Sequence, residues 1–420
     1  MSIFIKNIKK LVNARQQSPA SPLRGKEMET MPCLDGAWLL TEGDRIKAFG
    51  TMDGTAPETL SAMEDSADEV IDASGRMVFP SYCDSHTHLV YAGSREMEFM
   101  DKLRGLSYQE IARRGGGILN SVELLHNTPE DELLRQTLER AREIISLGTG
   151  AVEIKSGYGL TVEDEVKMLR VARRVGEETP LRVRTTFLGA HAVPARYKGD
   201  RKGYVDEIIR DIMPAVAAEG LADYVDIFVE EGFFTVEDAA RIFEAAARYG
   251  MQPKVHANQM SCSGGVQVGV KYGAASVDHL EFAGDEEFRV LRDSGTIATL
   301  LPGATFFLDM DYPRAKDMLA ADLPLAIATN YNPGSCPSGD MKFMMALAMI
   351  KMRLTPETVL NAATVNGAFA MGVGGDYGCI AVGKKASVFI TRRIPSYEFV
   401  PYSFTSQLIE NIILNGKKYN

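Results

Sequence analysis

The chain is poor in several things, and each shortage excludes something. It has one tryptophan, six histidines and five cysteines in 420 residues, and its acidic side chains outnumber its basic ones by 56 to 46. Cys33, Cys83, Cys262, Cys336 and Cys379 are odd in number and far apart, with no C-x-x-C pair. That excludes a disulfide framework and a cysteine zinc site, and it fits a reducing cytosol, so a cytoplasmic protein is expected. A net charge of −10 leaves no broad positive footprint, so no nucleic-acid partner is expected. An anionic small molecule would need a locally placed cation. No apolar run approaches the ~20 residues that span a bilayer. The opening MSIFIKNIKKLV is too short in its apolar part, and too interrupted by lysine, for a signal peptide. No membrane partner is expected either, and there is no repeat or low-complexity tract.

What is there reads as an enzyme-sized globular chain. Apolar residues make up 45% and charged residues 24%, enough for a sizeable core. Residues 1–76 carry short strand and turn patterns such as IKAFGTMDG and EVIDASGRMVFP, with RQQSPASPLRGKE as an exposed loop. From Met77 the texture changes. Eight apolar runs follow: MVFPSYCD, AVEIKSGY, LRVRTTFLGAH, ADYVDIFVEE, QPKVHANQ, AASVDHLEF, TIATLLPG and PLAIATNYN. Amphipathic segments lie between them. In PEDELLRQTLERAREIISLG, Leu134, Leu138, Ala141 and Ile145 share one helical stripe. Strands alternating with helices predict an α/β fold, a (β/α)8 TIM-like barrel over residues 77–372. β texture returns in DYGCIAVGKKASVFITRR, so residues 1–76 and 373–420 are expected to build a small β-sandwich domain from both chain termini.

The histidines fall in a pattern. His86 and His88 end the first run, His191 the third, His256 the fifth and His279 the sixth. Barrel enzymes place their chemistry at that end of the strands. Only His126 lies elsewhere, in LLHNTPED, and it reads as a surface residue. His-x-His on a strand sets both imidazoles on one side. Alone the motif is weak, since strand-end residues can simply be polar, but three further strand-end histidines make it specific. Neutral imidazoles suit a borderline divalent metal such as zinc or ferrous iron. His86, His88 and His256 make a plausible first three ligands. His191 and His279 are better placed as hydrogen-bonding or proton-transfer groups, and so as the catalytic candidates.

FPSYCDSHTH, together with the barrel pattern, resembles the amidohydrolase superfamily. HLVYAGSRE, VEIKSGYGL, TFLGAHAVP, KVHANQ and NYNPGSCPS narrow the resemblance to the imidazolonepropionase family, from about residue 30 to the end. The resemblance implies hydrolysis of 4-imidazolone-5-propanoate to N-formimidoyl-L-glutamate in histidine degradation. It implies one divalent metal per chain, zinc or iron, on His86, His88 and His256. A homodimer is expected. It implies that Arg95 holds the substrate carboxylate, that Tyr158, His191 and Gln259 contact substrate, and that Asn332, Gly334 and Ser335 form the substrate loop after the eighth strand. His279 matches the histidine near the reacting centre.

The residues agree with that chemistry. Opening a cyclic amide needs water to attack a carbonyl, and a metal both activates water and polarises the carbonyl. A propanoate arm calls for a guanidinium, and Arg95 is the first cation after the H-T-H strand, unless it only pairs with Glu96 or Glu98. One position departs from the family pattern, which begins T-D-x-N-P after the eighth strand. This chain has Asn330 in place of the aspartate. Asparagine can offer a metal its carbonyl oxygen but cannot act as a carboxylate base. A weakened or metal-poor member is therefore an alternative, as is a mononuclear deaminase of the same superfamily. Lys155 lies on the second strand, not the fourth that carries the carbamylated lysine of binuclear relatives. Glu230 and Glu231, ending the fourth strand, could hold a second metal or only hydrogen bonds. The glycines of RRGGGI suggest a loop over the barrel mouth.

Overall fold

The computed structural model describes residues 1–106 and 117–419. Of the glycine run in RRGGGI, residues 115 and 116 fall outside them. All eight predicted runs contain barrel strands, at Tyr82–Thr87, Thr149–Lys155, Arg182–Ala190, Tyr224–Val229, Val255–Ala257, Ser276–His279, Ile297–Leu300 and Leu325–Ile327. Each pairs in parallel with the next, as right-handed crossovers through helices require. The second and fourth helical crossovers start where the sequence supplies the cap. Thr161 accepts from the Asp164 N–H ahead of Val162–Glu178, and Thr235 with Asp238 forms a capping box ahead of Val236–Ala247. Leu134, Leu138, Ala141 and Ile145 are buried on the helix Glu130–Ser146.

The barrel closes between its eighth and first strands. The Asn330 N–H donates to the His86 carbonyl at 2.9 Å, and the His88 N–H to the Tyr331 carbonyl at 3.0 Å. Asp84 adds a side-chain clasp, accepting the Thr329 N–H at 3.0 Å and its hydroxyl at 2.6 Å. Asp84, His86 and His88 therefore divide one strand face between closure and chemistry.

Both chain ends meet in a second sheet. Ser2–Val12 runs antiparallel to Cys33–Glu42 and parallel to Arg76–Pro80, which pairs antiparallel with Val388–Arg393. Ile5, Leu39, Ile46, Val78, Val388 and Ile413 from six of its strands share one apolar cluster, so the sheet curls over its own core. Met77–Pro80 belong to this sheet, not to the barrel run in which the sequence sets them, and the barrel proper opens at Tyr82. A continuous apolar run carries no mark of where one sheet hands over to the next.

Candidate active site

Five histidine rings converge at the C-terminal ends of the strands. Ring centroids lie 4.5 Å apart for His86 and His256, 5.1 Å for His88 and His191, and 5.4 Å for His256 and His279. His126 stands apart, 64% exposed, with Nδ1 2.8 Å from Asp164. The ring nitrogens form two overlapping groups among the described residues, each within 4.8 Å: His86, His256 and His279, and His88, His191 and His256. His256 is common to both. The expected trio of His86, His88 and His256 spans the two groups and does not form one by itself.

The partners behind each ring decide which nitrogen faces the site. His86 donates Nδ1–H to Asp278 Oδ2 at 2.6 Å, so Nε2 presents its lone pair, and that buried atom has no protein partner. His256 sets Nδ1 3.1 Å from Asp226 Oδ2, a short but oblique contact, and its Nε2 lies 3.4 Å from His88 Nε2. Two ligands about 2.0–2.1 Å from one tetrahedral zinc stand roughly 3.3–3.4 Å apart, so this spacing fits a shared metal. A carboxylate behind a ligating imidazole is the usual arrangement at such centres. His191 donates Nδ1–H to the Gly157 carbonyl at 3.0 Å, leaving Nε2 as an acceptor. Burial lowers the basicity of His86 and His88 well below the ordinary histidine range. Burial and the neighbouring His256 bring His191 down to about 3. Burial likewise lowers His256, against the pull of Asp226. Neutral imidazoles are the form that binds a metal.

His279 owes its place to the backbone. It and Leu280 have φ of 88° and 73°, values that cost a non-glycine residue roughly 1–3 kcal/mol and gather at functional sites. The turn breaks strand alternation, so Asp278 meets His86 while the next residue lines the cavity. The buried His279 Nδ1 lies 3.7 Å from Glu281, whose other oxygen accepts from Thr305 at 2.8 Å. Asn330, at φ 54°, also lines the cavity. Its amide nitrogen lies 3.4 Å from the Ser335 hydroxyl, and its Oδ1 is buried without a hydrogen-bond donor. Orphaned lone pairs on His86 and Asn330 are what a cation-binding cradle offers.

The cavity of about 270 Å³ opens over these rings and is lined also by Arg95, Tyr158, Gln259, Asn332, Gly334 and Ser335. Every substrate-contact residue expected from the sequence therefore borders one space. Arg95 does both things weighed for it. Its Nε and Nη2 donate to Glu98 Oε2 at 2.9 and 2.7 Å, while Nη1 passes so close to Gly334 that a Cβ there would stand 1.9 Å away. Asn120 and the Gly117 N–H also donate to Glu98. Although burial pushes the Glu98 carboxyl up, Arg95 and these donors hold it below its ordinary value. In the loop after the eighth strand, Asn332 Oδ1 accepts from the N–H groups of Gly334 and Ser335 at 2.8 Å each, fixing its shape.

Two acidic alternatives resolve. Glu230 spends its oxygens on the Gln259 and Met260 N–H groups, at 3.0 and 2.9 Å, and on the Ser261 hydroxyl, so it fastens the loop that carries Gln259. Glu231 is exposed. Lys155 is fully buried between Glu153 and Asp226 at 2.6 and 2.8 Å, where a carbamate would face two carboxylates. Sequence reasoning missed Asp226, Asp278 and Glu281. The signal for the first two was present, as charged residues at inward positions of buried strands in YVDIF and SVDH.

Comparison with known proteins now decides the family. Residues 77–417 match the amidohydrolase family. The chain is 50% identical over 417 residues to the imidazolonepropionase of Christiangramia forsetii, covering 99% of this chain and 100% of that one. The chain belongs to the imidazolonepropionase family. Among solved structures, a mutant atrazine chlorohydrolase from Arthrobacter aurescens complexed with zinc and atraton superposes with a TM-score of 0.72 at 14% identity, covering 99% of this chain and 94% of that one. An adenosine deaminase from Xanthomonas campestris with bound zinc gives 0.68 at 16%, covering 99% and 92%. At such identities the likeness shows the amidohydrolase barrel alone. Among the described residues of this imidazolonepropionase-family chain, no helix is long and apolar enough to cross a membrane.

Proposed function

We infer that this protein hydrolyses the cyclic amide of 4-imidazolone-5-propanoate to N-formimidoyl-L-glutamate. One observation carries the reading: a single cavity sets the Arg95 guanidinium over a cluster of neutral imidazoles. A propanoate arm meets the fork, and the ring lies towards the histidines. We propose one divalent metal per chain, zinc or iron, held by His86, His88, His256 and the Asn330 amide oxygen. When bound, that metal supplies Lewis-acid polarisation of the carbonyl and a water of lowered pKa.

The chain's own residues do the rest. Arg95, fixed from behind by Glu98, binds the carboxylate through its remaining N–H groups. Tyr158, Gln259, Asn332 and Ser335 border the ring's polar edge, and Gly334 keeps the guanidinium's path open. His191, an acceptor at Nε2, takes a hydrogen bond from a ring N–H. His279 is the proton carrier, taking a proton from the attacking water and returning it to the leaving ring nitrogen, with Glu281 behind it. We further propose a cytoplasmic homodimer as the working form.

The test is product analysis with imidazolonepropanoate and metal-loaded protein. Stoichiometric N-formimidoyl-L-glutamate without ammonia supports the reading. Ammonia release in place of ring opening would favour the deaminase alternative and overturn it.

A further inference from the structure

Beneath the histidines lies a layer of buried charge that the proposed reaction does not use: Lys155, Lys254, Glu153, Asp226 and Asp278, all fully buried. Its geometry is not that of a random charge cluster. Lys155 Nζ lies 2.8 Å from Asp226 Oδ2 and 3.7 Å from Asp278 Oδ2. Those two atoms are the oxygens that face His256 Nδ1 at 3.1 Å and His86 Nδ1 at 2.6 Å. The opposite oxygen of each carboxylate is already occupied. Asp226 Oδ1 accepts the Ile227 N–H at 2.7 Å, and Asp278 Oδ1 accepts the Ser276 hydroxyl at 2.6 Å. Neither carboxylate can turn, and one ammonium sets the direction of both.

We propose that Lys155 is the positioning residue of the metal site, tying together the two carboxylate oxygens that orient His86 and His256. The inference rests on the reading of those histidines as ligands. From the second strand, Lys155 joins imidazoles of the first and fifth strands through carboxylates of the sixth and fourth, so five strands hold one register at the site. The ammonium stays charged: burial pulls its pKa down, but Asp226, Glu153 and Asp278 together raise it above the ordinary lysine value. Glu153 is its counter-charge on the side away from the rings, shared with Lys254 and the Thr186 hydroxyl. Lys155 orients the rings through Asp226 and Asp278, and its buried charge also favours the neutral form of His86, His88 and His256.

The same geometry supplies the control. Lys155→Met alone leaves buried carboxylates uncompensated, which threatens folding. Lys155→Met with Glu153→Gln removes one charge of each sign and leaves Asp226 and Asp278 in place. Parent, single and double variants are compared by zinc affinity from chelator competition, by the visible spectrum of the cobalt(II)-loaded protein, and by the melting temperature of the metal-free protein. Loss of a group that orients a ligating histidine weakens metal binding about 10–100-fold. The double variant is expected to melt near the parent yet bind zinc 10–100-fold more weakly, with shifted cobalt bands. A folded double variant with parental zinc affinity and parental cobalt bands would overturn the inference. A parent that takes up no stoichiometric zinc or cobalt would overturn the ligand reading as well, so the two failures are told apart.

Discussion

Asn330 presents a buried amide oxygen, without a donor, to the cavity where the family pattern carries a carboxylate. An amide is a weaker ligand and no base. Asn330→Asp is therefore expected to raise metal retention and turnover and to move the pH optimum down. General-base assistance is typically worth about 10²–10⁴-fold in rate. Steady-state kinetics at matched metal loading check this, and equal or lower turnover would show that the amide belongs here. In the chain as it stands the proton falls to His279, so His279→Ala should abolish activity while the protein stays folded. Arg95 is tested through binding. Arg95→Ala should raise KM by an order of magnitude or more, and by more than Arg95→Lys, since a desolvated charge pair that loses one partner costs roughly 2–5 kcal/mol. Gly334→Ala should raise KM too, because its Cβ would collide with Nη1. Parental KM in all three would return Arg95 to the role of a salt-bridge partner of Glu98.

Single elements explain both what the sequence made legible and what it hid. The seam between the first and eighth strands hangs on a side chain, Asp84, gripped twice by Thr329. Thr329→Val keeps the shape and removes the hydroxyl that donates to Asp84 and accepts the Tyr331 N–H at 3.1 Å. Leaving buried groups under-satisfied costs about 1–3 kcal/mol, so the urea midpoint should fall without a change in slope; an unchanged midpoint would mean the backbone bonds alone close the barrel. The eight strands were legible because both faces of a barrel strand are buried and read as short apolar runs. The histidines were legible because strand ends carry the chemistry. Positions set by the backbone were hidden. His279 lines the cavity only through a left-handed turn that no period-two pattern contains. RQQSPASPLRGKE reads as exposed from its polarity, yet its Leu23 is buried, and Asn366 bonds both the N–H and the carbonyl of Leu23. Polar side chains give no sign of a loop whose backbone is pinned from across the barrel. Likewise Glu98 sits in the helix Glu96–Leu103 and looks like surface charge until Arg95 folds onto it.

The whole molecule carries a predicted weakness to acid. His86, His88, His191 and His256 are held neutral by burial. Their folded pKa values lie below 6.5, so the unfolded chain binds more protons as pH falls beneath that value, and stability drops with it. The slope is about 1.4 kcal/mol per pH unit for each such histidine. For His191 the window runs from 6.5 down to about 3. Asp84 works in the opposite sense. Burial lifts it to about 7 against the Thr329 hydrogen bonds, so its proton favours the fold below that value; burial raises Glu165 and Asp340 in the same sense, so three carboxyls oppose four imidazoles. The melting temperature of metal-free protein should fall steeply from pH 6.5 to about 5, and less steeply in His191→Gln; a flat profile would contradict the burial of neutral imidazoles. Metal-dependent ring opening at the histidine cluster is the central claim, and its most direct test is a titration of metal-free protein with zinc, following N-formimidoyl-L-glutamate formed from imidazolonepropanoate. Turnover is predicted to rise linearly, to saturate at one equivalent per chain, and to be absent at every zinc level in His86→Ala. Turnover that is independent of added metal, or retained in His86→Ala, would contradict it.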